Sequence, residues 1–339
     1  MRASNLDWRR IMKPQLHAVA ASLLALALFS AGLAGAQSYP SKPVRIMVGY
    51  VPGGGVDTTA RIVAAALTEL WGTQVLGENR PGAGGNIATE VTAVAAPDGY
   101  TLVLCNIGSH GVTPARFGKR LTFDPVGDFA FPARIGGVPN IFMVHPSAPM
   151  KTLRQYIAYA KANPGKLNFG SSGVGASPHM SIQLLMTITG INIVHVPYKG
   201  AAAALGDTIS GQIESSVGNL AGGPLAAVKS GRLRGLGVTS ATRTAQLPEV
   251  PTFQEQGVPG YDVTGWYGLC TQSKVPQPII AKINADMNKL LAGGTLLRKR
   301  LEEQAIDVSP ASPEEFAAHV KAEIAKWTKV VQDAKLEAM

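Results

Sequence analysis

The sequence predicts a two-lobed α/β protein, and three observations carry that expectation. Its 339 residues suffice for two domains of ordinary size. Short β-rich runs alternate with helical stretches through residues 44–110, and the same alternation resumes over 141–240. A content of 46% hydrophobic and 16% charged residues, with abundant glycine, suits packed α/β lobes rather than a disordered chain.

The N-terminal segment stands outside that pattern. Arg9, Arg10 and Lys13 form a positive region, His17 to Ala34 is small and apolar, and Ala34-Gly35-Ala36 offers a processing site. This reads as a secretory signal peptide cleaved near Ala36. The alternative is an uncleaved anchor, since the stretch approaches the roughly 20 residues of a spanning helix; the small residues and the placed cleavage site favour removal. The Arg9-Arg10 pair leaves Sec and twin-arginine export both open. Arg2, Arg9, Arg10 and Lys13 against Asp7 account for +3 of the formal +9, leaving +6 scattered over the rest. Such a spread suits general attraction of anions and not a nucleic-acid footprint, and the few aromatics argue against base stacking. Leu297-Arg298-Lys299-Arg300 reads as a solvated helix face.

Val44 to Tyr50 is a buried-strand pattern, followed by a glycine turn and a helix with Ile62, Val63, Ala66, Leu67 and Leu70 on one face. Thr73 to Leu76 is a second strand, Pro81 to Asn86 a second glycine turn, Ile87 to Ala95 a helix and Tyr100 to Leu104 a third strand. Ile141 to Val144 opens the second series, and Thr152 to Ala162 is a helix stopped by Asn163-Pro164-Gly165. Lys166 to Phe169 leads to a third glycine turn, Gly170 to Ser177, and a helix from Pro178 or His179. Strands at Ile193–Val196, Gln212–Val217 and Leu233–Thr239 alternate with helices at Ala202–Ser210 and Leu225–Ser230. Pro278 to Leu291 is helical. Ser312-Pro313-Glu314-Glu315 forms a capping box ahead of an apolar face of Phe316, Val320, Ile324, Trp327 and Val331.

Chemistry is expected at the glycine turns. A glycine turn between strand and helix exposes backbone N–H groups beside the positive helix end, which suits an anion. Gly53 and Gly54 belong to the first turn, Gly84 and Gly85 to the second, and Ser171, Gly175, Ala176 and Ser177 to the third. Taken singly, each turn also has a structural explanation, since glycine serves any tight left-handed turn. Asp57 fits best as a helix N-cap, with ligand contact as the lesser role. His179 is the histidine weighed as a site residue, against a capping or packing role; His195 reads as structural. Tyr198 and Lys199 offer a hydroxyl and a positive charge at a strand end. No Walker A loop, Rossmann fingerprint, G-x-S-x-G elbow or H-E-x-x-H is present, so no cofactor, no metal and no catalytic role is expected. Cys105 and Cys270 are too few and too far apart for a zinc site, and are compatible with a disulfide or with two buried thiols.

The chain resembles the Bug-type receptors, periplasmic substrate-binding subunits of tripartite tricarboxylate transporters. The resemblance is carried by Tyr39 to Arg45, Pro52-Gly53-Gly54 with Asp57 and Ala60-Arg61, Glu78 to Asn86, and Ala96 to Leu102. It continues through His195 to Gly200, Leu247 to Thr252 and Gly257 to Tyr261. It implies a type II binding-protein fold, each lobe a mixed sheet flanked by helices, joined by crossover strands. The first lobe would comprise 38–140 plus 262–339 and the second 141–261. It further implies capture of a small organic carboxylate by backbone amides and waters, with delivery to a membrane permease; a sensor kinase is the alternative partner, and a monomer is expected. Family binding loops map onto Tyr50 to Asp57, the second glycine turn, Asn106 and Ser109 after the third strand, Gly170 to His179, and Tyr198-Lys199. Gly218 joins them at the strand end where many members carry Phe-Asp and this chain reads Val217-Gly218-Asn219. Losing that carboxylate favours a ligand without an ammonium group. Gly49-Tyr50 stands where members often have Pro-Phe, and Ala176-Ser177 where Gly-Ser is common.

Overall fold

The computed structural model describes residues 39–333; the signal peptide read at residues 1–36 lies outside them. All elements below belong to the unit Lys42–Met339. β1 (Val44–Val48) is buried except at Arg45 and leads through the first glycine turn into α1 (Gly55–Trp71). α1 buries Ala60, Val63, Ala64 and Leu67, leaving Ile62, Ala66 and Leu70 half-buried along its flank. It ends at Gly72, whose left-handed backbone (φ 63°) lets its N–H reach the Thr68 carbonyl. β2 (Val75–Asn79), α2 (Asn86–Ala93) and β3 (Thr101–Asn106) complete a parallel trio, with Val44 opposite Val75 and Arg45 opposite Thr101. A π-helical turn (Gly108–Val112) then runs into the short α3 (Thr113–Phe117).

β4 (Phe129–Val144) is a 16-residue strand that joins two sheets. Its first part pairs antiparallel with β9 (Thr264–Gln272), and its last residues pair antiparallel with β7 (Ser215–Asn219) and β8 (Arg234–Val238). The second sheet continues through β5 (Asn168–Ser171) to β6 (Val194–Pro197), both parallel to β7. Here α4 (Leu153–Ala162), α5 (Ser177–Thr189), α6 (Ala201–Ile209) and α7 (Gly223–Lys229) supply the helices. α8 (Gln277–Leu291), α9 (Leu296–Glu303), β10 (Asp307–Val308) and α10 (Pro313–Asp333) return to the first sheet. The strand order is β2-β1-β3-β9-β4-β7-β5-β6, with β8 and β10 pairing onto β4.

The fold is therefore α/β with mixed sheets, as the family resemblance implied, and less parallel than the β-turn-α alternation alone suggests. Only Ile141–Val144 of β4 is legible as strand, because Pro132, Gly136, Gly137 and Pro139 punctuate the rest. The structure accommodates them by register shifts between Ala130 and Ala133 and between Arg134 and Gly136. The capping box forms as expected: the Ser312 N–H donates to Glu315 Oε2 (2.8 Å) and the Glu315 N–H to Ser312 Oγ (3.2 Å). Behind it Phe316, Val320 and Trp327 are fully buried. Glu323 is buried beside them, its carboxylate receiving the indole N–H groups of Trp266 (3.3 Å) and Trp327 (3.2 Å). In α9, Leu297 and Leu301 face inward while Arg298 pairs with Glu302, and Lys299 and Arg300 are solvated.

Cys105 on β3 and Cys270 on β9 form a disulfide, resolving the two alternatives the sequence left open. His110 lies against the pair, but two sulfurs bonded to each other are not thiolate ligands. Among the described residues no helix is long and apolar enough to cross a membrane.

Candidate functional site

The glycine turns meet across the junction of the two sheets. A Cβ built on Gly84 would stand 2.8 Å from the Val174 carbonyl oxygen and 3.8 Å from the Ala176 nitrogen. The second and third turns thus touch backbone to backbone. Gly84 also has φ 67°, which a side chain would strain. On the other flank, positions for a Cβ on Gly53 and Gly54 lie 3.6 and 3.5 Å from the Cβ atoms of Ala202 and Ala201, at the start of α6. A Cβ on Gly200 would collide with Val51. The first turn therefore faces a helix start that the sequence did not single out.

Between the second and third turns lies a cavity of about 260 Å³, lined by Gly49, Tyr50, Gly82, Ala83, Gly84, Ser172, Gly173, Val174, Pro197, Tyr198 and Lys199. Tyr50 is buried and its hydroxyl donates to the Gly84 carbonyl (2.7 Å), so burial drives its ionisation well above the ordinary phenol range. The same hydroxyl stands 3.2 Å from where Gly85 would carry a Cβ. Asn106 Oδ1 accepts the N–H groups of Gly108 (2.8 Å) and Ser109 (3.3 Å), while Ser109 Oγ bonds His110 Nδ1 (2.9 Å). These bonds set the loop after β3 beneath Tyr50. Ser177 Oγ accepts from Asn140 Nδ2 (2.9 Å), and Asn140 Oδ1 in turn accepts from Asn219 Nδ2 (2.8 Å). Gly218 sits within β7, opposite Ile141, with Pro224 packed against its face.

Several expected donors are already engaged. The Gly53 N–H donates to Asp57 Oδ2 (3.0 Å), Gly173 to Ser171 Oγ (3.2 Å), Gly175 to His179 Nδ1 (3.2 Å), and Ala176 to the Gly173 carbonyl (3.2 Å). Asp57 is not the N-cap expected of it: that position is Gly54, and Asp57 lies within the first helical turn. Its side chain folds back to fill the first turn with the chain's own carboxylate. Burial would raise its pKa, but hydrogen bonds from Arg61, Asn79 and Gly53 outweigh this and hold it below the usual carboxylate range. The first turn is thus occupied by the chain's own carboxylate. Tyr198 likewise spends its hydroxyl on Asp207 (2.6 Å); burial first, and that carboxylate second, push its pKa up to about 12. Its ring still lines the cavity, beside the exposed Lys199.

His179 does take a capping role, receiving the Gly175 N–H at Nδ1 (3.2 Å). It stacks on His195 with centroids 4.1 Å apart, and His195 Nε2 bonds Ser171 Oγ (2.7 Å). Burial, with His195 and Arg116 adding repulsion, lowers the pKa of His179 to about 3; burial and Arg116 lower that of His195 to about 4. Burial alone lowers that of His110, whose ring packs on Phe129 and Phe131, to about 3. These imidazoles are neutral when folded, whereas in the unfolded chain they take protons near pH 6.5. The unfolded state therefore binds more protons below that pH. Folding stability is expected to fall as pH drops from 6.5 toward 4, by about 1.4 kcal/mol per pH unit for each of His110 and His179. Urea unfolding at pH 7 and pH 5 measures it, and His179→Gln should flatten the dependence; an unchanged slope contradicts the assignment.

Two residues at the junction were missed from sequence. Tyr267 on β9 is buried, its hydroxyl has no hydrogen-bond partner among the described residues, and it stands 3.1 Å from where Gly55 would carry a Cβ. Arg116, on α3, is 8% exposed beside the third turn. A lone Tyr in an apolar strand and a lone Arg after Pro114 carry no motif; only the tertiary contact reveals them.

A family model described as "Tripartite tricarboxylate transporter family receptor" matches residues 59–336. Protein BugT of Bordetella pertussis is 30% identical over 321 residues, covering 93% of this chain and 98% of that protein. The solved structure described as R. palustris Rpa4515 with adipate superposes with a TM-score of 0.83 at 34% identity, covering 88% of this chain and 98% of that one. MatC from Rhodopseudomonas palustris with bound malate gives a TM-score of 0.79 at 30% identity, covering 86% and 100%.

Proposed function

The chain belongs to the tripartite tricarboxylate transporter receptor family, whose members are periplasmic substrate-binding receptors and not enzymes, and from that premise we propose that it captures a small organic carboxylate where its second and third glycine turns meet. The observation that carries this reading is the shared cavity between Gly82–Gly84 and Ser172–Val174, floored by Tyr50 and edged by Lys199. Peptide N–H groups left unengaged in these turns would bind the carboxylate. The uncapped start of α5 adds partial positive charge, since Ala176 makes no side-chain cap bond. Adipate and malate in the two relatives are acids of a suitable class.

In this reading residues 38–140 plus 262–339 form one lobe and 141–261 the other. A ligand favours the closed arrangement through contacts it makes only when both turns reach it. The sharing of β4 between two sheets supports a hinge at Pro139-Asn140, where its pairing passes from β9 to β7. The exported chain, cleaved near Ala36, would deliver its ligand to a tripartite-type permease in the membrane.

A thermal-shift screen of the mature protein against organic acids tests the reading. A ligand at about 100 times its Kd adds roughly 2.7 kcal/mol of stability, raising the midpoint by several degrees. Stabilisation is expected from carboxylates and not from their amides. Equal response to acid and amide, or none to any acid, contradicts it.

A further inference from the structure

Arg116 is a buried cation without a counter-ion among the described residues. Its Nε and Nη1 have no hydrogen-bond partner among the described residues, and it joins none of the ion pairs found there. The ring of Phe117 lies 5.6 Å from its guanidinium carbon. Nη1 lies 3.3 Å from where Gly175 would carry a Cβ, and Thr113 Oγ1 stands 3.9 Å from the same point. Gly175 has φ 84°, so a residue without a side chain is what brings backbone and guanidinium together there.

Among the described residues no negative charge stands close enough to balance it. Two residues beyond Gly175 begins α5, a 13-residue helix whose N-cap, Ala176, has no side-chain acceptor for the first-turn amides. A guanidinium and an uncapped helix N-terminus carry charge of the same sign, which is unfavourable unless an anion lies between them. His179 and His195 are held neutral, partly by Arg116 itself. Buried guanidinium donors are paired in folded proteins, because leaving them unpaired costs several kcal/mol. Arginine remains charged even when burial lowers its pKa, as it does here. An oxyanion would satisfy these donors and balance the charge.

We propose that Arg116 and the first turn of α5 form a second anion subsite, taking the far carboxylate of a dicarboxylate whose near carboxylate lies at the Tyr50–Gly84 cavity. The two positions approach the same segment, since the place a Gly84 Cβ would take lies against Val174 and Ala176 while Arg116 Nη1 lies 3.3 Å from the place a Gly175 Cβ would take. This inference rests on the carboxylate-receptor reading and adds the ligand's second charge and the side chain that selects it.

The test is calorimetric titration of the mature protein and its Arg116→Gln and Arg116→Lys variants with two matched pairs, adipate against hexanoate and succinate against butyrate. The wild type is expected to prefer the better diacid over its monoacid by about tenfold or more, the scale of one charge-assisted hydrogen-bonded contact. Arg116→Gln should remove that preference while leaving monoacid affinity unchanged, and Arg116→Lys should restore part of it. Equal loss of diacid and monoacid in Arg116→Gln would make Arg116 structural and overturn the subsite. An unchanged preference would mean that water alone satisfies the guanidinium, and would overturn it too. Should the wild type bind none of the four acids, the receptor reading itself fails; monoacid binding without a diacid preference removes only the subsite.

Discussion

Replacing Gly84 by alanine is expected to weaken carboxylate binding by about tenfold or more while the protein remains folded. Two effects combine. The residue occupies the left-handed region at φ 67°, where an L side chain costs about 1–2 kcal/mol. Its new Cβ would stand 2.8 Å from the Val174 carbonyl oxygen, a backbone atom that cannot swing aside. Relief requires the second and third turns to separate, which opens the cavity they share. If ligand is bound only when they meet, each 1.4 kcal/mol against their contact lowers affinity tenfold. Gly72→Ala is the matched control: φ is 63° there, and nothing lies within 4 Å of the position its Cβ would take. It should carry the backbone strain alone, with no change in affinity. Equal affinity in both variants would remove the turn contact from the site.

Loss of the Cys105–Cys270 disulfide is expected to have the largest effect on stability. The bond ties β3 to β9 across a sequence separation of 165 residues. The chain-entropy model assigns such a loop about 5 kcal/mol, and removal of native disulfides typically costs about 2–5 kcal/mol. The neighbouring β3–β9 ladder, with Val103 opposite Cys270 and Cys105 opposite Gly268, keeps the strands aligned once folded. The change should therefore lower the denaturant midpoint of the double serine variant rather than rearrange the sheet. Urea titration of wild type and variant, and of wild type under reductant, measures it. A loss below about 1 kcal/mol would place the stability of this region in strand pairing alone.

Much of the architecture was legible because local signals agreed with the fold. The Ser312–Glu315 capping box and the apolar stripe behind it gave the last helix, and the glycine turns fell between strand and helix as read. β9 and the first part of β4 were not legible, because antiparallel crossing strands follow from tertiary pairing and β4 is punctuated by Pro and Gly. At the site, sequence located the turns but not the state of their amides. That Gly53 is already bound to Asp57, and Gly175 to His179, depends on side-chain rotamers that spacing does not encode. Arg116 was invisible for a related reason: it is buried beside Gly175, a residue far away in the chain.

In the receptor reading a carboxylate is gripped where the second and third glycine turns meet. A crystal structure of the mature receptor with the best acid from the thermal screen tests it most directly. Carboxylate oxygens are expected within about 2.7–3.2 Å of backbone nitrogens in the Gly82–Gly85 and Ser172–Ser177 segments, beside Tyr50. A ligand seated instead in the larger cavity of about 540 Å³ lined by Ser240–Gln246, Asp262 and Asp307, with those turns untouched, would contradict it.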